Sequence, residues 1–410
     1  MLINRLSISS WRQFAEVDIV FHPRLTVIAG ANGAGKSTLL RILSQHFGVQ
    51  HHLLATPKIS SAGVLKYFSG LFGFLEDHEA QQQSVGEIEY GNGEKSTLQI
   101  PTAGAVQYNL KISNMQPVPG LFINSHRPVN SYQSIESIPT NAISAEQAYQ
   151  SYHQEIANKY NNAYSQYSPT YRIKEAIISM ATFGPGNKNV QRNPDLEGTY
   201  EDFKVVLSKV LPSAIGFRDI SVRVPDVVIV TDTGEFVLDA ASGGLMALID
   251  IAWQIFLYSR GRPSFAVVID EPENHLHPSM QRSIIGTLLE AFPNTQFITA
   301  THSPFIVSSV RNSAVYVLRH SESLAVESPQ SIVTSEKLEN VNKSGTASEV
   351  LRGVLGVPVT MPIWAEAEIE SIASEFDINA LDAASIAALR ARLGAAGLGD
   401  YYADALARMA

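Results

Sequence analysis

The sequence predicts an α/β fold in which a mixed sheet is flanked by helices and carries an antiparallel β-subdomain. Three observations lead there. Short apolar runs of strand length alternate with helical patterns at 1–47 and again at 242–307, as a sheet with helices on its faces requires. A glycine-rich turn joins the apolar run Leu25–Ala29 to an apolar helix from about Ser37 to Phe47. Strand-like runs at Gly86–Tyr90, Ser96–Pro101 and Ala105–Ile112, joined by turns such as GNGE, indicate a small antiparallel sheet.

The elements follow in order. Leu2–Ser9 alternates as a strand, and Val17–Phe21 is its hairpin partner; Leu121–Asn124 reads as another short buried strand. Ser144 and Gln147 form a capping-box pattern that opens a helix. Tyr149, Tyr152, Ile156, Tyr160 and Tyr164 recur along one face of it, and Pro169 ends it. Such a stripe can stack on single-stranded bases, but packing against a neighbouring helix is the simpler reading. Helices at Tyr171–Thr182 and Tyr200–Val210 flank a polar loop carrying Lys188 and Arg192. The interval shows no sustained heptads, so it reads as a helical insertion rather than a coiled-coil arm. Strands are expected at Ile215–Val224, Val227–Thr231 and Phe236–Leu238, then a helix from Ser242 to Tyr258. Phe265–Ile269, Gln296–Ala300 and Ala314–Leu318 are strands, Pro278–Ala291 is a helix, and the tail from Thr346 is mostly helical. The domain division expected is 1–134 for an N-terminal lobe, 135–212 for the insertion, 213–335 for a C-terminal lobe and 336–410 for a helical C-terminal region.

Composition narrows the class. The 410 residues include no cysteine, which excludes thiol catalysis, thiolate zinc sites and disulfides and fits a reducing cytoplasm. The start MLINRLSISSWRQF lacks the apolar core of a signal peptide. No run of about 18 apolar residues is present, so a cytoplasmic location without membrane contact is expected. The net charge of −9 does not resemble a nucleic-acid coat protein, although a local basic stripe on an acidic protein can still meet DNA.

Four motifs carry chemistry. Gly30–Ser37, GANGAGKS, fits G-x-x-x-x-G-K-[ST] between a strand and a helix. Gly30, Gly33 and Gly35 let backbone N–H groups curl around phosphate oxygens at a helix N-terminus. The run Gly30, Ala31, Asn32, Gly33, Ala34, Gly35, Lys36, Ser37 and Thr38 is therefore the candidate cradle for ATP. Lys36 is expected on the β- and γ-phosphates and Ser37 on Mg²⁺. In FAVVIDEP an apolar strand ends in Asp270, for the Mg²⁺ shell, and Glu271, to orient or deprotonate the attacking water. In TATHSP, His302 stands at a strand end and can donate to the γ-phosphate. In ASGGL, Ser242, Gly243 and Gly244 open a helix and form a second anion-binding end. The first site has no use for it in cis; between two heads it would close over the partner's ATP.

Together these motifs, with LSISSWRQF ahead of the loop, DEPENHLHP after the carboxylate strand and THSP, resemble the ABC-type ATPases of the RecF, OLD and chromosome-maintenance group. The resemblance covers Met1–Phe47 and about Ser242–Val307, roughly a third of the chain. It implies a P-loop NTPase fold with an ABC-type head, ATP-driven dimerisation of heads, and Ser242, Gly243 and Gly244 acting in trans. It also implies Arg12 near the nucleotide, and an interface role for His275 and His277 in preference to an H-x-H metal site. Gln133 is the candidate for the glutamine that reaches the metal, with Arg127 in the same loop as an alternative phosphate or interface contact. The tail has no D-x-D cluster of a Toprim nuclease, and long coiled-coil arms are missing. The chain resembles the compact ATPases of bacterial antiphage systems such as Septu, where a separate nuclease is the effector. The expected function is thus Mg²⁺-dependent ATP hydrolysis by a homodimer or higher oligomer that controls a nuclease or toxin subunit. The alternatives are a RecF-like DNA repair ATPase and a non-catalytic ATP-binding scaffold.

Overall fold

The apolar alternation at the amino terminus pairs as a hairpin in the computed structural model, which describes residues 1–59, 65–68, 82–101, 106–127, 131–161, 163–322, 331–339, 345–355, 361–376 and 382–409. Strands β1 (Ile3–Trp11) and β2 (Phe14–Val20) close with Trp11 opposite Phe14. Then come β3 (Leu25–Gly30), α1 (Lys36–Ser44), β4 (Leu53–Leu54), β5 (Thr56–Ile59), β6 (Leu65–Phe68), β7 (Gln82–Tyr90), β8 (Lys95–Pro101), β9 (Gln107–Tyr108), β10 (Lys111–Ser113) and β11 (Gly120–Ile123). The middle of the chain supplies α2 (Ala145–Tyr160), α3 (Pro169–Phe183), α4 (Pro194–Val210), β12 (Phe217–Arg223), β13 (Asp226–Thr231), β14 (Gly234–Val237) and α5 (Gly243–Ser259). The sequence continues with β15 (Phe265–Asp270), α6 (Pro278–Ala291), β16 (Thr295–Thr301), α7 (Pro304–Val307), β17 (Ala314–Glu322), β18 (Ser331–Lys337) and α8 (Ala347–Gly353).

Eleven strands form one sheet in the order β10-β8-β7-β1-β2-β18-β17-β3-β16-β15-β11. Its β17-β3-β16-β15-β11 half is parallel, and β2, β1, β7, β8 and β10 run antiparallel to one another. The sheet is therefore mixed, as the sequence predicts. Alternate residues of the parallel strands feed two separate cores, the consequence of a two-residue side-chain period. Val27, Val267, Ile269 and Val317 join a core with α2–α6, whereas Ile28, Val268, Ala300 and Leu318 join one with α1 and the β1–β2–β7–β8 lobe.

The structure departs from the sequence reading in several places, among them Pro169, which begins α3 instead of ending the helix before it. The helices of the expected 135–212 insertion share a core with α5 and α6 (Tyr152, Ile173, Phe203 and Trp253 pack in one cluster), so residues 1–356 form one compact unit. Strand β18, unexpected because SIVTSEK is polar and short, pairs with β17 and β2 and straddles the expected boundary at 335/336. The Ala105–Ile112 run divides into β9 and β10, and Ala105 itself lies outside the described residues. The aromatic face ends at Tyr160: Tyr149 packs on Tyr258 of α5 at 5.2 Å, while Tyr164 lies beyond the helix and is 90% exposed. A second unit, 357–410, holds α9 (Ile363–Ser374), α10 (Ala383–Ala395) and α11 (Tyr402–Met409) around Ile369, Ile372, Leu389 and Leu393.

Candidate active site

Neighbouring parallel strands put three loops on one edge. β16 lies between β3 and β15, with Thr301 opposite Ala29 and Asp270 opposite Ala300. The glycine turn, the paired acids and the histidine loop therefore leave the carboxyl ends of adjacent strands, the place where open α/β sheets bind ligands.

The glycine turn uses its freedom where the backbone demands it. Gly33 and Gly35 have φ of +81° and +92°, in the left-handed region. A Cβ on Gly35 would collide with the Phe14 ring, so the hairpin turn seats directly beneath the loop. Gln13 of that turn donates through Nε2 to the Gly33 carbonyl at 2.6 Å. The Lys36 ammonium is buried and donates to the carbonyls of Gly30 at 2.8 Å and Ala31 at 3.1 Å. Burial lowers its pKa, while Glu271, Asp270 and Glu273 pull the other way.

The acids differ in environment. Asp270 is buried, and desolvation raises its pKa against a hydrogen bond from Ser37 and the charges of Arg41 and Lys36. Its Oδ1 is buried without a hydrogen-bond partner. Among the described residues no group of three or more His, Asp or Glu could hold a metal. One carboxylate and one hydroxyl are nevertheless the sparse protein donor set that Mg²⁺ uses when phosphates and water complete its shell, so Asp270 and Ser37 fit that ion. Glu271 is held at φ +49°, a strained conformation for a non-glycine residue. Its amide donates to Ala300 O at 2.9 Å, and its Oε2 accepts from Asn274 Nδ2 at 2.9 Å. His302 Nδ1 stands 3.3 Å from Glu271 Oε1 and 3.6 Å from Glu273 Oε1. Glu273 in turn accepts from Thr301 Oγ1 at 2.5 Å and from the amides of His302 and Ser303 at 3.0 and 3.2 Å, which fixes the histidine loop.

The structure thus brings Lys36, Ser37, Asp270, Glu271 and His302 to one edge. Other expected residues make contacts of their own. Ser242 caps α5, accepting from the Leu245 amide at 3.4 Å, and both Ser242 and Gly243 are exposed. Gly244 packs near the His275 carbonyl. Arg12 lies over the Trp11 ring and donates to Leu54 O at 3.4 Å. Gln133, expected near the metal, instead accepts from the Ser168 amide at 2.7 Å and donates to Gln166 O at 2.9 Å. Both ends of its amide are used, bracing the approach to α3. Arg127 is the member of that loop that turns towards the acids: its Nη1 donates to Asn274 O at 2.9 Å. His275 and His277 are exposed, and His277 caps α6 by accepting from the Ser279 amide at 3.3 Å. Sequence reasoning missed Gln13, Glu273 and Asn274. Glu273 and Asn274 stood inside DEPENHLHP, where two further polar residues beside the acids were the only signal.

With these side chains in place, the chain can be compared with known proteins. A family profile described as "AAA ATPase domain" matches residues 120–307, and one described as "AAA domain" matches 5–183. The chain is 37% identical over 76 residues to "Retron Ec83 probable ATPase" of Escherichia coli, covering 18% of this chain and 14% of that protein. It is 27% identical over 187 residues to "Septu protein PtuA" of Bacillus thuringiensis, covering 42% of this chain and 46% of that protein. The chain is similar to AAA ATPase domains and to the Septu and retron proteins. It spans less than half the length of these curated relatives. Among solved structures, the SMC head domain from Thermotoga maritima aligns over 83% of this chain and all of that chain, at 16% identity and a TM-score of 0.44.

Proposed function

We propose that this ATPase hydrolyses ATP with Mg²⁺ at a site completed by a second head, and that closure of the heads controls a nuclease or other effector in bacterial antiphage defence. The observation that carries the reading is the convergence of Lys36, Ser37, Asp270, Glu271 and His302 on the carboxyl ends of β3, β15 and β16. In this reading the turn from Gly30 to Thr38 cradles the phosphates and Lys36 leaves its loop carbonyls for the β- and γ-oxygens. Ser37 and Asp270 would hold Mg²⁺, which would supply charge neutralisation at the transferred phosphoryl group. Glu271, aimed by Asn274, orients the attacking water and takes its proton. His302, fixed by Glu273, donates to the γ-phosphate. The exposed start of α5 supports a role in trans: Ser242, Gly243 and Gly244 present a capped helix N-terminus, free for a partner head's triphosphate. His275, exposed and backed by Gly244, would lie at that same interface. Similarity to Septu PtuA and to retron ATPases supports the defence setting.

The test is Glu271→Gln, which keeps the shape and removes the base. ATP binding by calorimetry should persist, turnover should fall by about 10²–10⁴, and the ATP-bound chain should elute as a dimer. Unchanged turnover removes Glu271 from the mechanism, and a folded sample that takes up no nucleotide sinks the whole reading.

A further inference from the structure

Strand β11 is an edge strand, and beyond it the chain walls off a cavity of about 540 Å³. Its walls are the segment after α1, β11, α2 and α5. It runs from the segment after α1 along β11 to Arg127, with Arg41 of α1 in its wall. The volume is in the range of small-molecule sites.

The lining is polar where a buried surface should not be. Arg127 lines the cavity with its side chain only 8% exposed, and its Nε and Nη2 are buried without hydrogen-bond partners. Asp250, the acid beside it, stands 4.0 Å from Nε and is engaged by Gln254 at 3.1 Å. Nε2 of His51 and Nε2 of His153 are likewise buried and unpartnered. Burial lowers the pKa of both imidazoles, that of His153 to about 4, so these rings are neutral and offer hydrogen bonds rather than charge. Buried donors left unpaired are costly unless something completes them, and an anion completes Arg127 best. The rings supply flat walls: His51 meets Phe122 edge-on at 5.9 Å, and His153 lies 4.2 Å from Tyr149.

Arg127 also connects the cavity to the hydrolytic edge. Its Nη1 donates to the Asn274 carbonyl, and the Asn274 side chain holds Glu271. We propose that this cavity is a second ligand site, for a planar heterocyclic anion of mononucleotide size, bound by Arg127, His51 and His153 and linked to Glu271 through Asn274. The link rests on the reading of Glu271 above; the binding site does not.

Adenosine monophosphate is the probe, with inorganic phosphate as the second titrant. Calorimetry on the full chain carrying Lys36→Ala, which disables the phosphate loop, should still show one saturable AMP site. Arg127→Gln and Ala157→Trp, the latter placing a ring at the cavity wall from an exposed position, should each weaken it about tenfold or more, with melting curves showing that both variants fold. In the parent chain AMP should change ATP turnover about fivefold or more, and Ala157→Trp should abolish the change. No AMP uptake in the Lys36→Ala chain overturns the proposal, as does uptake that both variants leave untouched. Phosphate binding as tightly as AMP overturns the heterocyclic class, and uptake without any change in turnover overturns the link. A parent chain that turns over no ATP at all would instead count against the ATPase reading, while the AMP titration would still stand.

Discussion

Asp250 and His153 face the same cavity and push stability in opposite directions with pH. Burial raises the Asp250 carboxyl from 3.8 to about 6, against the opposing pull of Arg127 and Gln254, and lowers the His153 imidazole from 6.5 to about 4. For Asp250 the folded chain holds the proton more tightly. Its contribution is complete below pH 3.8 and is lost as pH rises through about 6. For His153 the folded chain binds the proton less tightly. Its contribution is complete above pH 6.5 and is lost as pH falls through about 4. Each displacement is worth about 3 kcal/mol. The two slopes nearly cancel between pH 4 and 6.5, so neither is visible in the parent chain alone.

The perturbation that separates them is Asp250→Asn. It removes one slope and leaves the other, so the variant should lose about 2 kcal/mol relative to the parent on going from pH 7 to pH 4.5. His153→Phe should shift the balance the opposite way. Urea denaturation of the full chain at the two pH values measures it, and the difference between chains cancels titrations elsewhere. Parallel pH profiles for parent and Asp250→Asn would refute the claim that burial governs this carboxyl.

Three more outcomes follow from named contacts. Lys174 is fully buried and holds Asp239 at 2.6 Å, Asp226 at 3.4 Å and the Gln133 carbonyl at 2.5 Å. Lys174→Met should lower stability by about 3–5 kcal/mol in urea, because buried acids lose their counter-charge, and adding Asp239→Asn should restore part of it; no recovery would refute the pairing. Gly35→Ala must place a methyl against Phe14 at a left-handed φ, and should cost about 2–4 kcal/mol and abolish ATP uptake by calorimetry. Gln13→Ala removes the donor to the Gly33 carbonyl and should weaken ATP binding by about 0.5–1.5 kcal/mol, with an unchanged Kd ruling out the brace.

Legibility followed the range of the interactions. The placement of the glycine turn, the paired acids and His302 at strand ends could be read because strand, turn and helix are local patterns and each motif sits within about ten residues. The register that gathers them, β3 beside β16 beside β15, was implied by the motifs' shared chemistry. Gln13 was hidden because its partner, the Gly33 carbonyl, is a backbone atom with no sequence signature. Gln133 was misplaced because a glutamine after a strand looks alike whether its amide meets a metal or the Gln166 carbonyl and Ser168 amide. The 135–212 helices looked like an insertion because a sequence shows which face is apolar, but not that Tyr152 and Phe203 share a core with Trp253.

The segment between β11 and α2 is where the long-range connections meet. At one end Arg127 reaches the Asn274 carbonyl, one side chain from Glu271. At the other, the Gln133 carbonyl binds Lys174, whose ion pair with Asp239 anchors the chain three residues before Ser242. Neither contact is a surface ion pair that solvent would screen. Arg127 and Lys174 are both buried cations whose partners lie on different elements, so moving either end displaces charge in a low-dielectric interior at a cost of kilocalories. Arg127 is thus tied to Asn274 beside Glu271, and the Gln133 carbonyl, through Lys174 and Asp239, to the chain just before Ser242.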